Sequence, residues 1–280
     1  MGSTDPLAMV VTDPGSLTLI ALVGLAYVTG LRRWRAQSRR PVVSRAQQVA
    51  FASGLLVAGV AVASPLDALV ARSLTAHMVQ HVLLLNAAAP LLALGAPVPT
   101  LLWALPPRAR GTSLRASRHL THSHDRWPAA WIAGTLVAEA GVVLGWHLPV
   151  LFEAASRNQG VHLIEHLSFV VTSTLSWWAV VTARRSRRGA AAVAALVGSL
   201  SGIALGSALV VIPHPVYPSY VQGSVPAALA DQRMAGVVMW AFGGLLEDIT
   251  GAALFASWLS MGRERAEESY VVPPLRRVAS

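Results

Sequence analysis

The sequence contains no cysteine and no lysine, and only 12% of its 280 residues are charged. The absence of cysteine excludes disulfides, thiolate metal sites, iron–sulfur clusters and dithiol redox centres. Any metal bound by this chain must therefore use histidine, methionine, carboxylate or backbone oxygen. The low charge and the hydrophobic content of 54% exclude a soluble globular domain of this length. The chain is predicted to be an integral membrane protein.

All 22 basic residues are arginines, and the formal net charge is +9. They occur in blocks between apolar runs rather than along one face, so a nucleic-acid partner is not predicted. Seven apolar runs have a length suited to crossing a bilayer. They are roughly 16–31, 46–63, 76–96, 129–147, 161–183, 190–212 and 234–260.

Arginine is abundant in every second connecting segment. Six arginines lie in 32–45, five in 97–128 and four in 184–189, whereas each intervening segment holds one. By the positive-inside rule, these three segments and the tail at 261–280 face the cytoplasm. The predicted fold is an all-α bundle of seven transmembrane helices in the plasma (cytoplasmic) membrane, with the N-terminus outside and the C-terminus cytoplasmic.

A single transmembrane domain is predicted over 16–260, preceded by a short extracytoplasmic segment at 1–15. This first segment carries no basic residue, so it lacks the charged start of a secretory signal peptide and no cleavage is predicted. Met1 and Met9 are both candidate starts of the natural chain.

Five of the nine histidines fall at the predicted outer ends of three spans. His77 and His81 begin the third span, His162 and His166 begin the fifth, and His147 ends the fourth. A separation of four residues places two imidazoles on one helical face, about 6 Å apart along the axis. Ionisable groups in a membrane are costly unless they bind a partner, and neutral imidazole is the commonest metal ligand. These five histidines are predicted to form a metal site on the extracytoplasmic side.

Five further residues are predicted as auxiliary groups of this site: Asp67, Met78, Glu165, His214 and Asp231. Each has a plainer interpretation, because carboxylates also cap helices or pair with arginine, and methionine usually fills hydrophobic space. Glu139 lies near the middle of the fourth span. There it is interpreted as a proton carrier, an ion ligand or the partner of an arginine.

The ligand types favour copper, because imidazole and thioether suit copper in either oxidation state. Zinc is also satisfied by imidazole and carboxylate. Haem is the third candidate, with axial histidines from the third and fifth spans.

Several linked motifs occur in a fixed order along the chain. They are Ser64-Pro65-Leu66-Asp67, His77-Met78-Val79-Gln80-His81, Ala89-Pro90-Leu91-Leu92, Leu94-Gly95-Ala96-Pro97, Trp146-His147-Leu148-Pro149, His162 to His166, and Asp231-Gln232 to Trp240. Together they resemble the CtaG family of membrane proteins, named for a factor needed to assemble caa-type cytochrome c oxidase. The resemblance covers about 46–260. It implies a seven-helix assembly factor, not an enzyme, that handles copper for a haem–copper oxidase and has oxidase subunits as partners.

Three other functions are consistent with these residues. The first is a haem-bearing membrane electron carrier, which a Soret band would identify. The second is a copper transporter, which would need ligands across the whole bilayer, whereas histidine and methionine are sparse in the predicted inner half. The third is a metal-free scaffold that binds the helices of an oxidase subunit.

Overall fold

The computed structural model describes residues 14–38, 43–113 and 128–270 of the chain. Within these ranges the chain is helical and has no strand, which confirms the all-α prediction. Most of the predicted N-terminal segment, 1–15, and the last part of the tail, 271–280, lie outside the described residues.

The main helices follow one another with short connections. They are α1 (Pro14–Gln37), α2 (Arg45–Ala63), α3 (Pro65–Val70), α4 (Leu74–Leu94), α5 (Pro97–Ala104), α6 (Pro128–Trp146), α7 (Pro149–Arg157), α8 (Gln159–Val181), α9 (Arg188–Val211), α10 (Val225–Gly243) and α11 (Leu245–Tyr270). Short 3₁₀ turns at Arg185–Arg187 and Pro218–Tyr220 precede α9 and α10.

Six helical segments of the described chain are long and apolar enough to cross a membrane, rather than the seven predicted. They are Pro14–Gln37, Arg45–Val70, Leu74–Leu94, Ala129–Trp146, Arg188–Val211 and Val225–Met261. The predicted fifth span is helical, as α8, but is not in this set, because His162, Glu165 and His166 lower the hydropathy of its first turns.

Helix α4 occupies the centre of the bundle. Over an apolar stretch of 18 residues, 67% of its residues are buried, against 17–33% in the corresponding stretches of the other five candidate spans. It packs against α2, α8 and α10, and α8 in turn packs against α6. The two predicted histidine pairs therefore lie on helices that contact each other inside the protein.

Side-chain caps fix the first turns of both helices that carry these pairs. On α8, the Asn158 Oδ1 atom accepts hydrogen bonds from the backbone N–H groups of Gly160 (2.9 Å) and Val161 (3.1 Å). On α4, the Asp231 carboxylate accepts from the backbone N–H groups of Leu74 (2.6 Å) and Thr75 (3.2 Å). Caps of this kind satisfy donors that have no partner within the helix.

Helix α4 also contains a π-helical stretch, Leu83–Ala88, which ends two residues before Pro90. Proline lacks an amide hydrogen and clashes with the carbonyl four residues earlier, so the helical hydrogen bonding rearranges there. Asn86, within this stretch, donates a hydrogen bond to the Gly243 carbonyl at the junction of α10 and α11 (2.6 Å).

Close packing of α9 on α10 depends on two facing glycines. A Cβ atom at Gly206 would lie 2.5 Å from the Gly236 carbonyl oxygen, and one at Gly236 would lie 2.6 Å from the Gly206 carbonyl oxygen. We expect Gly206→Ala to lower the free energy of unfolding by about 1–3 kcal/mol, because the two backbones must separate. Gly141→Ala is the matched control, since a Cβ there meets nothing within 4 Å. Thermal unfolding in detergent compares them, and equal midpoints would contradict the expectation.

Candidate metal centre

Four side chains from α4 and α8 converge near the first turns of these helices. His77, His81, His162 and Glu165 each present a ligand-type atom, and these four atoms lie within 4.8 Å of one another. Imidazole nitrogens and carboxylate oxygens bind zinc at about 2.0–2.2 Å, so inward shifts of about 1 Å would bring all four atoms to one ion. The sequence predicted Glu165 only as an auxiliary group. Its spacing of three from His162, which places both on one helical face, is the signal for it.

The other two predicted histidines lie beside this group. The His147 ring centroid is 5.3 Å from that of His81. The His166 centroid is 5.8 Å from His81 and 4.0 Å from His162. The structure thus brings all five histidines into one continuous cluster. We call these five residues together with Glu165 the histidine cluster.

Hydrogen bonding fixes the tautomer of His77. Its Nδ1 atom lies 2.6 Å from the Tyr220 hydroxyl, which itself donates to the Val70 carbonyl (2.9 Å). Because a hydroxyl has one hydrogen, the bond to His77 is donated by its Nδ1–H group. Burial raises the pKa of Tyr220, so the phenol keeps this hydrogen. The Nε2 atom of neutral His77 therefore carries a lone pair.

A hydrogen bond to the backbone fixes the tautomer of His147 in the same way. Its Nδ1 atom lies 2.7 Å from the Val143 carbonyl oxygen, which can only accept, so Nδ1 carries the hydrogen and Nε2 carries the lone pair. A hydrogen bond that selects the tautomer and orients the ring is typical of metal-binding histidines.

Several buried atoms of the cluster have no hydrogen-bond partner among the described residues. They are Nε2 of His77 and His147, both ring nitrogens of His81 and His166, and both carboxylate oxygens of Glu165. Unsatisfied buried polar atoms are uncommon in folded proteins, and a carboxylate buried without a counter-charge is strongly destabilising. Glu165 is 0% exposed. These ligand atoms fit a bound metal cation, which would accept the nitrogen lone pairs and balance the charge of the carboxylate.

Both predicted auxiliary aspartates make protein contacts outside the four-residue group. The Asp67 Oδ1 atom accepts a hydrogen bond from Gln80 Nε2 (2.9 Å), and Gln80 is a fully buried residue between the two histidines of α4. Asp231 caps α4, which agrees with the plainer interpretation of this carboxylate. Both aspartates hold the helix that carries His77 and His81.

The remaining predicted residues lie apart from the four-residue group. Met78 is fully buried in an apolar cluster with Leu209 and Met239. His214 is exposed on the loop after α9. Glu139 is buried on α6 near Ser173 and Ser176 of α8, eight residues from His147 and so about 12 Å farther along the bundle.

A cleft of about 250 Å³ connects the cluster to the protein surface. Its lining includes His77, His162, Asp67 and Tyr220, with the exposed Arg157 at the rim. The His162 side chain is 15% exposed, whereas Glu165 beside it is completely buried. An ion entering through this cleft would meet His77 and His162 first.

A family model described as cytochrome c oxidase caa3 assembly factor (Caa3_CtaG) matches residues 25–261. The match extends into α1, beyond the start of the resemblance near residue 46. Comparisons with curated proteins and with solved structures give no match.

Proposed function

This chain belongs to the cytochrome c oxidase caa3 assembly factor family, and we propose that it binds copper in the histidine cluster and delivers it to an oxidase subunit. The observation that carries the proposal is the set of buried, unsatisfied ligand atoms on His77, His81 and Glu165. Family membership implies association with cytochrome c oxidase. The binding of copper and its delivery to an oxidase subunit are our proposal.

Copper is the metal that best fits both the ligand atoms of the histidine cluster and the family. Divalent copper binds nitrogen and oxygen ligands more tightly than the other first-row metals, and imidazole is a good ligand for it. The chain has no thiolate to compete for the ion. Zinc would accept the same four side chains, so metal analysis must separate the two.

We also propose that α8 is a seventh span, completing the predicted topology. Its 23 residues measure about 34 Å, enough to cross the hydrocarbon core. Its polar face contacts α4, whereas the large side chains exposed after its first two residues are apolar: Ile164, Leu167, Val171 and Leu175. Lipid would therefore meet only the apolar face.

The cluster is proposed to face the extracytoplasmic side. Helix α8 begins at the cluster and ends shortly before Arg184, Arg185, Arg187 and Arg188. By the positive-inside rule, the end with these arginines is cytoplasmic. The cleft then opens on the side from which copper would be exchanged with an oxidase subunit.

The packing of the cluster argues against the haem carrier. Neighbouring imidazole centroids in the cluster are only 4.0–5.8 Å apart, so the rings fill the space between α4 and α8. The cleft of about 250 Å³ is also below the roughly 300–1,000 Å³ of typical small-molecule pockets.

Metal analysis by mass spectrometry, together with an optical spectrum, tests the proposal on protein purified in detergent. We expect copper at one or more equivalents per chain and no Soret band. A Soret band would identify haem instead. Protein that holds no copper, even after loading with Cu(I) and with Cu(II), would contradict the proposal.

Tyr220→Phe is expected to weaken copper binding about 10–100-fold, because it removes the hydrogen bond that sets the His77 tautomer. Competition with a chromogenic Cu(I) chelator measures this affinity. Tyr27→Phe is the matched control, since it removes another buried phenol, one that donates to the Gly95 carbonyl. Equal affinities in the two variants would show that Tyr220 does not orient a ligand.

A further inference from the structure

The four residues whose ligand-type atoms converge, His77, His81, His162 and Glu165, differ in their access to the protein surface. The side chains of His81 and Glu165 are 0% exposed and His77 is buried, whereas the His162 side chain is 15% exposed. His162 also lines the cleft of about 250 Å³. Three of the four ligand-type atoms therefore belong to enclosed side chains, and the fourth belongs to a side chain that reaches the cleft.

The enclosed side chains are held by close packing. The His77 Nδ1 atom lies 2.6 Å from the Tyr220 hydroxyl, and the His81 ring centroid lies 4.8 Å from that of the fully buried Phe169. Protein interiors are packed as densely as organic crystals, so a buried ring cannot turn away from its neighbours without moving them. Exchange of one of these ligands would require the helices around them to rearrange.

His162 lies where the end of its helix leaves room. Only three residues of α8 precede it, and side chains on a helix lean toward the N-terminus of the helix. The His162 side chain therefore leans toward the open end of α8, where Asn158 and Gln159 also line the cleft. A change of rotamer turns the ring into this space without movement of the backbone.

Departure of the His162 ring would leave a bound ion with three enclosed ligands, His77, His81 and Glu165. The fourth position would then open to the cleft, because the leaving ring is the one exposed there. Metal sites with three protein ligands and one open position accept an external ligand, whereas structural sites with four protein ligands are closed. Movement of one side chain thus converts a closed site into an open one.

We propose that His162 is the exchangeable ligand of the copper site, and that a neutral nitrogen or sulfur donor of the acceptor, one histidine or methionine side chain, takes its place from the cleft. This inference rests on the proposed copper binding. In the exchange, the bond from the metal to the His162 nitrogen breaks and the nitrogen keeps its lone pair. A bond from the lone pair of the incoming donor forms in its place, so the oxidation state of the ion and the charge of the site do not change.

Rescue by free imidazole tests the inference on the full chain in detergent. His162→Ala leaves a gap that opens to the cleft, and His81→Ala, the matched control, leaves an enclosed gap in the same group. Competition with a chromogenic Cu(I) chelator measures the affinity of each variant, relative to the wild type at the same imidazole concentration. We expect His162→Ala to bind copper about 10²-fold more weakly than the wild type, and to recover at least about tenfold of this loss in millimolar imidazole. His81→Ala should recover none.

The outcomes separate this inference from the proposed function. Equal recovery in the two variants, or no recovery in folded His162→Ala, would overturn the role of His162 and leave copper binding intact. A wild type that binds no copper would overturn both. Elution as a single species in size-exclusion chromatography shows that a variant is folded.

A measurement on the wild type keeps the inference falsifiable if a variant does not fold. Protein loaded with Cu(I) is mixed with increasing concentrations of a short peptide that carries two adjacent histidines, and the rate of copper loss is followed. We expect the rate to rise in proportion to the peptide concentration, because the incoming donor binds before the ion leaves. A rate that is independent of the peptide concentration would show that the ion leaves first, and would overturn the exchange.

Discussion

The double variant His77→Ala/His81→Ala is expected to bind copper more than about 10³-fold more weakly than the wild type. Both rings belong to the compact four-residue group, so the variant removes half of its ligands. Four-ligand zinc sites gain about 10–16 kcal/mol on binding, and half of that is at least about 5 kcal/mol, or more than 10³-fold in affinity. Competition with a Cu(I) chelator measures the loss.

Met78→Leu is the matched control for this variant. Met78 lies between the two histidines in sequence and is fully buried, but it packs in the apolar cluster. Exchange of methionine for leucine conserves volume and usually changes stability little. We expect wild-type affinity in Met78→Leu. If the double variant folds and keeps wild-type affinity as well, the copper site lies elsewhere.

The contact among the five histidines could be predicted because two independent signals agree. Spacing of four pairs the rings within each helix, and the arginine pattern predicts that the pairs begin their spans at the same side. The structure places these rings within 4.0–5.8 Å of a neighbouring ring of the cluster. Tyr220 could not be predicted, because 143 residues separate it from His77 and no spacing relates them.

Hydropathy could predict a membrane span where most of the helix is apolar. Hydropathy sets α8 apart from the six other segments, because one face of this helix carries the polar cluster and only the other is apolar. It also places the start of the last span at 234, whereas α10 begins at Val225. These first turns are started by local signals that hydropathy does not register: Ser224 caps the helix by accepting a hydrogen bond from the Ala227 N–H group (3.4 Å), and Pro226 lies in the first turn.

Cells whose only copy of this chain carries His81→Leu/Glu165→Leu are expected to lose cytochrome c oxidase activity to the level of cells that lack the chain. Both residues are 0% exposed, and without a metal they are buried polar groups with unsatisfied atoms. Replacement of such groups by apolar side chains of similar size is often neutral or stabilising for the fold. The variant should therefore accumulate in the membrane while binding no copper. Its activity then tells whether the bound metal or only the presence of the protein is needed.

This design distinguishes delivery from scaffolding because the helix surfaces are unchanged. A metal-free scaffold would act through the exposed faces of helices such as α1, α8 and α9, none of which the double substitution alters. If copper delivery is the function, activity falls although the protein is present in normal amount, and His214→Ala, outside the cluster, retains full activity. Full oxidase activity in cells with the double leucine variant, confirmed by immunoblot of the membranes, would instead assign the chain a role that needs no metal.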